Sequence, residues 1–168
     1  MNIALIGSGR MGRMLESLCE KDEGLHVAGF VGRTGYASLA DMEQVDAALD
    51  FSYPGNLESL LACAVAKKIP LVIGTTGLSK EQGEAIRKAS REIPIVWADN
   101  FSTGVTVLCR LARMAAQSLG DDFDIEIVET HHRQKEDAPS GTAKQLLAYM
   151  DPKHEHEIVY GREGHPGK

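Results

Sequence analysis

The chain has 168 residues, 43% hydrophobic and 25% charged, with 18 basic and 24 acidic side chains giving a formal net charge of −6. That length fits one domain, or one and a fraction. The apolar content excludes disorder, and no apolar run approaches the roughly 18 residues of a membrane span, so no membrane partner is expected. A field of that sign repels phosphate backbones, so no nucleic-acid partner is expected either.

The first hundred residues alternate short apolar runs with helix-period segments. Residues 2–6 form a strand-length apolar run that ends at glycine. Too short and uncharged for a signal peptide, it predicts a cytoplasmic protein. Met11, Met14, Leu15, Leu18 and Cys19 then recur at helical spacing over 10–21. Residues 25–31 and 47–52 read as strands, and Tyr53-Pro54-Gly55-Asn56 breaks the run ahead of a helix over 57–67. A strand at 70–74 stops at Thr75-Thr76-Gly77, and Ser79 with Gln82 has capping-box spacing for a helix to about 91. Residues 93–98 read as the next strand. Strands alternating with helices mean parallel pairing and a doubly wound α/β sheet.

The pattern changes after Asp99-Asn100-Phe101-Ser102. A long amphipathic helix runs to about 119 with Val105, Leu108, Leu111, Ala112 and Ala115 on one face, and 124–129 alternates like a strand with one wet face. A short helix over 142–149 and a strand-like 157–160 follow. The expected organisation is a first domain over 1–102 and an incomplete α+β domain over 103–168. Cys19, Cys63 and Cys109 lie far apart in apolar stretches, as buried thiols of a reducing compartment do.

Gly7-Ser8-Gly9-Arg10-Met11-Gly12 fits GxGxxG between a strand and a helix, the context that makes this pattern a dinucleotide signature of a Rossmann-like fold. Gly7 permits the turn, Gly9 lets backbone approach a pyrophosphate, and Gly12 lets the helix pack on the strand. The acid that would take a ribose 2′-hydroxyl after the second strand is missing; Arg33 stands beside its place and suits a 2′-phosphate. NADPH is therefore the expected cofactor, with NADH as the alternative. Gly74-Thr75-Thr76-Gly77 and Ala98-Asp99-Asn100-Phe101 lie at the carboxyl ends of parallel strands, where glycine and small hydroxyls admit a flat ring and orient its amide.

The densest cluster is Glu129-Thr130-His131-His132-Arg133-Gln134-Lys135-Glu136-Asp137-Ala138-Pro139-Ser140-Gly141-Thr142-Ala143. Lys135 and the imidazoles can neutralise a small dianion, while Ser140, Gly141 and Thr142 offer N–H and hydroxyl donors at a helix start. Neighbouring histidines on a strand point to opposite faces, so His131 and His132 make a poor metal pair, and His154, His156 and His165 add only a weak tail pattern. No metal is expected.

This motif resembles the signature of the 4-hydroxy-tetrahydrodipicolinate reductase (dihydrodipicolinate reductase) family, with the glycine turn, Gly74-Thr75-Thr76-Gly77 and Asn100-Phe101-Ser102 in the family's order. The resemblance implies a cofactor domain, a substrate domain and a homotetramer. It implies NAD(P)H-dependent reduction of a small dicarboxylate heterocycle in lysine and diaminopimelate synthesis. His131 matches the position of a proton donor or acceptor, and Lys135 that of the proton donor. His132 and Gly141-Thr142 match substrate positions, with Ser140 adjoining them. Residues 7–12, Arg33, 74–76 and 98–101 match cofactor contacts. Two departures touch cofactor choice: the glycine turn is one residue shorter than in the common enterobacterial form, and the family's usual acid is replaced by Gly32. Family members run beyond residue 164, so the chain reads as a fragment. The alternative to the reductase is a catalytically inactive NADP-binding sensor or assembly partner.

Overall fold

The apolar runs of the first hundred residues become five strands: β1 (Asn2–Ile6), β2 (His26–Val31), β3 (Ala47–Asp50), β4 (Leu71–Ile73) and β5 (Ile95–Trp97). This is seen in a computed structural model that describes residues 1–32, 35–133, 135 and 138–164. The sheet order is β2-β1-β3-β4-β5, and every neighbouring pair is parallel. Parallel neighbours need crossovers. Three of these carry helices α1 (Arg10–Cys19), α2 (Leu57–Lys67) and α3 (Lys80–Ala89), whereas among its described residues the β2-to-β3 connection holds only a 3-10 turn at Leu39–Asp41.

Period-two alternation along β1 sends its side chains to two cores. Ile3 and Leu5 join Phe30 and the half-buried Leu15 of α1 on one face. Ala4 and Ile6 join Leu57, Leu60, Leu61 and Ala64 of α2 and Ile86 of α3 on the other. A strand buried on both sides must be apolar throughout, which is why β1 shows no alternation in sequence. The sheet is doubly wound, as the alternation of elements predicts.

Helix α1 turns out rotated from the stripe read in the sequence. Its inward line is Gly12, Leu15 and Cys19, so Met11, Met14 and Leu18 remain 45%, 58% and 55% exposed. Gly12 carries no side chain and gave the pattern no weight, so the larger residues one position away looked like the core. Helix α3 starts where expected. The Ser79 hydroxyl accepts the Gln82 N–H at 3.3 Å and the Gln82 carboxamide oxygen accepts the Ser79 N–H at 2.9 Å. The Gln82 carboxamide also donates to the Pro54 carbonyl at 2.7 Å, tying the start of α3 to the loop after β3.

The chain divides into two compact units, Met1–Asp99 and Asn100–Lys168. In the second, α4 (Thr103–Leu119) and α5 (Gly141–Met150) pack on each other. Helix α4 buries Cys109 fully and Val105, Ala112 and Ala116 in part, so Leu108 and Leu111 stand 50% and 57% exposed, off the predicted face. The strands expected at 124–129 and 157–160 do not form. A strand exists only when a neighbour takes up its backbone donors and acceptors. Neither segment has such a neighbour among the described residues, and Val128 and Val159 are 90% and 87% exposed. The only strand-type pairing described in this unit is one antiparallel bridge, Ala138 to Gly164.

Removing the Ser79 hydroxyl breaks one half of the α3 capping box. Ser79→Ala is expected to lower stability by about 1 kcal/mol, read as a reduced denaturant midpoint at unchanged slope. An unchanged midpoint would show that the cap carries none of the stability of this helix.

Candidate functional site

The chain leaves β1 for β2 on one side and returns to β3 on the other, so the strand order reverses between β1 and β3. Ligands of open parallel sheets bind in the crevice at such a switch point. Gly7 ends β1 with φ +96°, and its N–H donates to the Val31 carbonyl at 2.9 Å. A Cβ on Gly7 would stand 2.8 Å from the Phe51 carbonyl oxygen, and one on Gly12 would stand 2.0 Å from the Gly7 carbonyl oxygen. Both glycines are demanded by the chain's own backbone. Gly9 is different: a Cβ there would meet nothing within 4 Å, and the residue caps α1 without a side-chain hydrogen bond. The first N–H groups of α1 have no acceptor within the helix, and Gly9, Arg10 and Met11 at its start are exposed, an arrangement that suits a phosphate.

The loops after β3 and β4 are joined by one acid. Asp50, at the end of β3, is 1% exposed. It accepts the Ser52 hydroxyl at 2.5 Å and the Thr75 hydroxyl at 2.9 Å, and the Ser52 N–H donates to the Thr75 hydroxyl oxygen at 2.9 Å. Burial pushes the Asp50 carboxyl above the usual range, and these hydroxyls oppose that rise. The Thr75 hydroxyl is thus turned inward, 2% of the residue being exposed, while Thr76 faces solvent. The space beside Gly74 is taken by the chain's own Phe51 ring, which would stand 2.3 Å from a Cβ there. Thr75 and Gly74 shape the loop from behind.

After β5 the Ala98 N–H donates to the Ile73 carbonyl at 3.2 Å, and Asp99 is exposed. The Asn100 carboxamide oxygen accepts the Ser102 N–H at 2.7 Å, turning the chain into α4, and Phe101 is 47% exposed. Arg33, the residue expected to read the 2′-phosphate, lies outside the described residues.

The second cluster lies within the unit that begins at Asn100. Glu129 stands at its centre. One carboxylate oxygen accepts the Ser140 N–H at 2.8 Å; the other accepts the Ser140 hydroxyl and pairs with His131 Nε2 at 2.9 Å. Ser140, 4% exposed, in turn accepts the Ala143 N–H at 3.0 Å and caps α5. Burial by itself raises the Glu129 carboxyl. The hydroxyl and N–H of Ser140 and the His131 ring outweigh that rise and bring it from an ordinary 4.5 down to about 2. Gly141 and Thr142 open α5, and a Cβ on Gly141 would meet nothing within 4 Å. The His132 carbonyl accepts the Lys135 N–H at 3.1 Å in a turn that leaves Lys135 half-buried. Among the described residues no cluster of three or more His, Cys, Asp or Glu side chains is arranged to hold a metal ion.

Two residues of these clusters were given no role by the sequence reading. Glu129 had a signal: it opens the same charged motif, two positions before His131. Asp50 also had one, as a charge closing an otherwise apolar strand.

A parallel sheet with a glycine turn at its switch point and a helix N-terminus open beside it defines a dinucleotide-binding α/β protein. Residues 1–101 match the family model described as dihydrodipicolinate reductase, N-terminus, and residues 104–165 match dihydrodipicolinate reductase, C-terminus. The chain belongs to the dihydrodipicolinate reductase family, a family of oxidoreductases. It is similar to the 4-hydroxy-tetrahydrodipicolinate reductase of Pseudoalteromonas atlantica, with 41% identity over 99% of this chain and 72% of that protein. The enzyme of the same name from Halorhodospira halophila is 38% identical over 100% of this chain and 73% of its own length. The fold is similar to that of a dihydrodipicolinate reductase from Paenisporosarcina sp. TG-14 solved with dipicolinate bound. Its TM-score is 0.71 at 22% identity, over 99% of this chain and 71% of that one. An oxidoreductase from Agrobacterium radiobacter in complex with NAD+, L-tartaric acid and magnesium shares the fold at a TM-score of 0.53 and 16% identity, over 71% of this chain and 39% of that one.

A carboxyl held as low as Glu129 stabilises the folded chain. The contribution is complete above the ordinary 4.5 and is lost as pH falls from there through about 2. Ser140→Ala removes the hydroxyl donor and is expected to move the Glu129 carboxyl up toward 4.5, read from its carboxyl carbon shift in an NMR pH titration. A titration that stays near 2 in the variant would show that the remaining donors suffice.

Proposed function

We propose that this chain reduces the dehydrated, cyclic form of 4-hydroxy-tetrahydrodipicolinate to tetrahydrodipicolinate, a step of lysine and diaminopimelate synthesis, with NADPH preferred and NADH accepted. The observation that carries this reading is the loop from Glu129 to Thr142. It combines a histidine held by a carboxylate, a nearby lysine and a helix start at Ser140-Gly141 in one short stretch. A ring bearing two carboxylates needs that set of groups, and a similar fold has been solved with dipicolinate bound.

The reduced nicotinamide, when bound, supplies the hydride. The residues of the glycine turn hold the cofactor: Gly7 and Gly12 set the turn, Ser8 and Gly9 leave its backbone open, and the N–H groups of Arg10 and Met11 take the pyrophosphate. Arg33 is assigned to the 2′-phosphate because no acid occupies the place that would take a 2′-hydroxyl. Thr76 and the backbone of Gly74 and Thr75, with Ala98, Asp99, Asn100 and Phe101, are assigned to the nicotinamide end. His132, Ser140, Gly141 and Thr142 are assigned to the substrate carboxylates.

Lys135 is the group that delivers a proton where electron density builds on the ring during its reduction; the ammonium loses the proton to the ring and regains one from solvent. His131, oriented through Nε2 by Glu129, is assigned as a second proton donor or acceptor. A silent sensor would have no need of either group, and both are present. The protein is further proposed to work as a homotetramer in the cytoplasm. Its cysteines, Cys19, Cys63 and Cys109, are unpaired, as a reducing compartment requires. No helix among the described residues is long and apolar enough to cross a membrane.

NADPH oxidation by the chain is expected only when the product of the preceding synthase is supplied. Lys135→Ala is expected to lower kcat roughly 100-fold or more, within the usual range for a lost general acid. Unchanged turnover in the Lys135→Ala, His131→Ala double variant would discard both assignments. Arg33→Ala is expected to weaken NADPH binding more than NADH binding, and equal loss of the two would remove the 2′-phosphate assignment.

A further inference from the structure

Asp50 is the most deeply buried acid described, and nothing in the reaction uses it. It ends β3, the strand that borders the switch point, and both of its carboxylate oxygens are occupied. One accepts the Ser52 hydroxyl, and the other accepts the Thr75 hydroxyl from the loop after β4. A third bond, from the Ser52 N–H to the Thr75 hydroxyl oxygen, closes the triangle. Asn56 adds a weaker contact from its carboxamide nitrogen to the Ser52 hydroxyl at 3.4 Å. Two loops that belong to different strands are thereby held as one piece.

What this piece touches gives it a role. The Phe51 carbonyl and Ser52 lie so close to Gly7 that a Cβ there would stand 2.8 Å from the first and 3.1 Å from the second. The Phe51 ring likewise fills the space over Gly74. The Phe51-Ser52 step is therefore wedged between the glycine turn and the loop after β4, and Asp50 is the anchor behind it. A solvated acid would hold nothing in place. A buried one with two hydroxyl donors from separate loops fixes their spacing, because moving either loop leaves part of a carboxylate unpaired inside the protein, which is costly.

We infer that Asp50 is a positioning residue of the nucleotide site, holding the loops after β3 and β4 at the spacing that keeps the Phe51-Ser52 step against Gly7. This rests on the nucleotide reading of the glycine turn. Asp50 touches no ligand; it acts through Ser52, Thr75 and the backbone of Phe51. Burial favours its protonated form, and the two hydroxyl bonds oppose that preference.

The test measures NADPH binding by the full chain through quenching of its protein fluorescence, with thermal stability recorded alongside. Asp50→Ala is expected to weaken NADPH binding at least tenfold, and in turnover to raise KM for NADPH by a similar factor with kcat within about threefold. Asp50→Asn keeps one oxygen acceptor and is expected to fall between the alanine variant and the unsubstituted protein, which also covers failure of the alanine variant to fold. Ile86→Val, a buried change in the same core, is the control for stability alone. Asp50 variants that bind NADPH as well as the unsubstituted protein, or that lose affinity only in proportion to lost stability as Ile86→Val does, would overturn the inference while leaving the nucleotide reading intact. An unsubstituted chain that does not bind NADPH overturns the nucleotide reading and this inference with it.

Discussion

Five strands running in one direction deliver all of their carboxyl-end loops to one edge of a sheet, and the features of the nucleotide cradle follow from that constraint. Gly7, Gly32, Phe51, Gly74 and Ala98 are far apart in the chain, yet each follows a parallel strand and so emerges on the same side. Crowding at that edge explains the glycines better than ligand contact does. Gly7 and Gly74 are small because Phe51 and Ser52 occupy the space a side chain would need, and Gly12 is small because it sits on the Gly7 carbonyl. The surface left over is backbone: the first N–H groups of α1, which have no acceptor within the helix, with the open Gly9 beside them. An anion site made of backbone has no charge of its own to identify it and is built from the way the chain turns.

The loop from Glu129 to Thr142 solves a different problem. A helix start offers several N–H groups, and a substrate with two carboxylates could take all of them. Here Ser140 and Glu129 take part of the set for the protein: the Ser140 hydroxyl caps Ala143, and the Glu129 carboxylate takes the Ser140 N–H. That leaves Gly141 and Thr142 at the opening. The same carboxylate pairs with His131, so one acid both anchors the helix and orients an imidazole. Its negative charge also opposes a dianion close by. In the proposed substrate site the cationic members of the cluster, with Lys135 and Arg133 among them, would balance that charge for a dicarboxylate.

The two acids illustrate how burial and donors compete. Asp50 is almost fully enclosed, and its two hydroxyl donors offset only part of the cost of desolvation, so the carboxyl sits above its usual range. Glu129 is less enclosed and receives an N–H, a hydroxyl and a histidine, so it sits far below. The same residue chemistry gives a clamp in one place and a firmly ionised anchor in the other, and the difference lies in the surroundings.

Element type and order could be read from the chain because they depend on local pattern. The β-branched runs, the glycine turn between strand and helix, and the Ser79 to Gln82 spacing each act over a few residues. The motif from Glu129 to Ala143 was legible for the same reason, since its members are neighbours in sequence. Which face of α1 or α4 points inward was not legible. Gly12, Cys109 and Ala116 are small, and the inward line is chosen by what a neighbouring element can approach. The strands expected at 124–129 and 157–160 failed because a strand is a property of a pair, and alternation in one segment says nothing about a partner. The clamp at Asp50 was decided by tertiary structure alone: Asp50 and Thr75 lie 25 positions apart, and only the pairing of β3 with β4 makes a carboxyl and a hydroxyl from separate loops share one buried space.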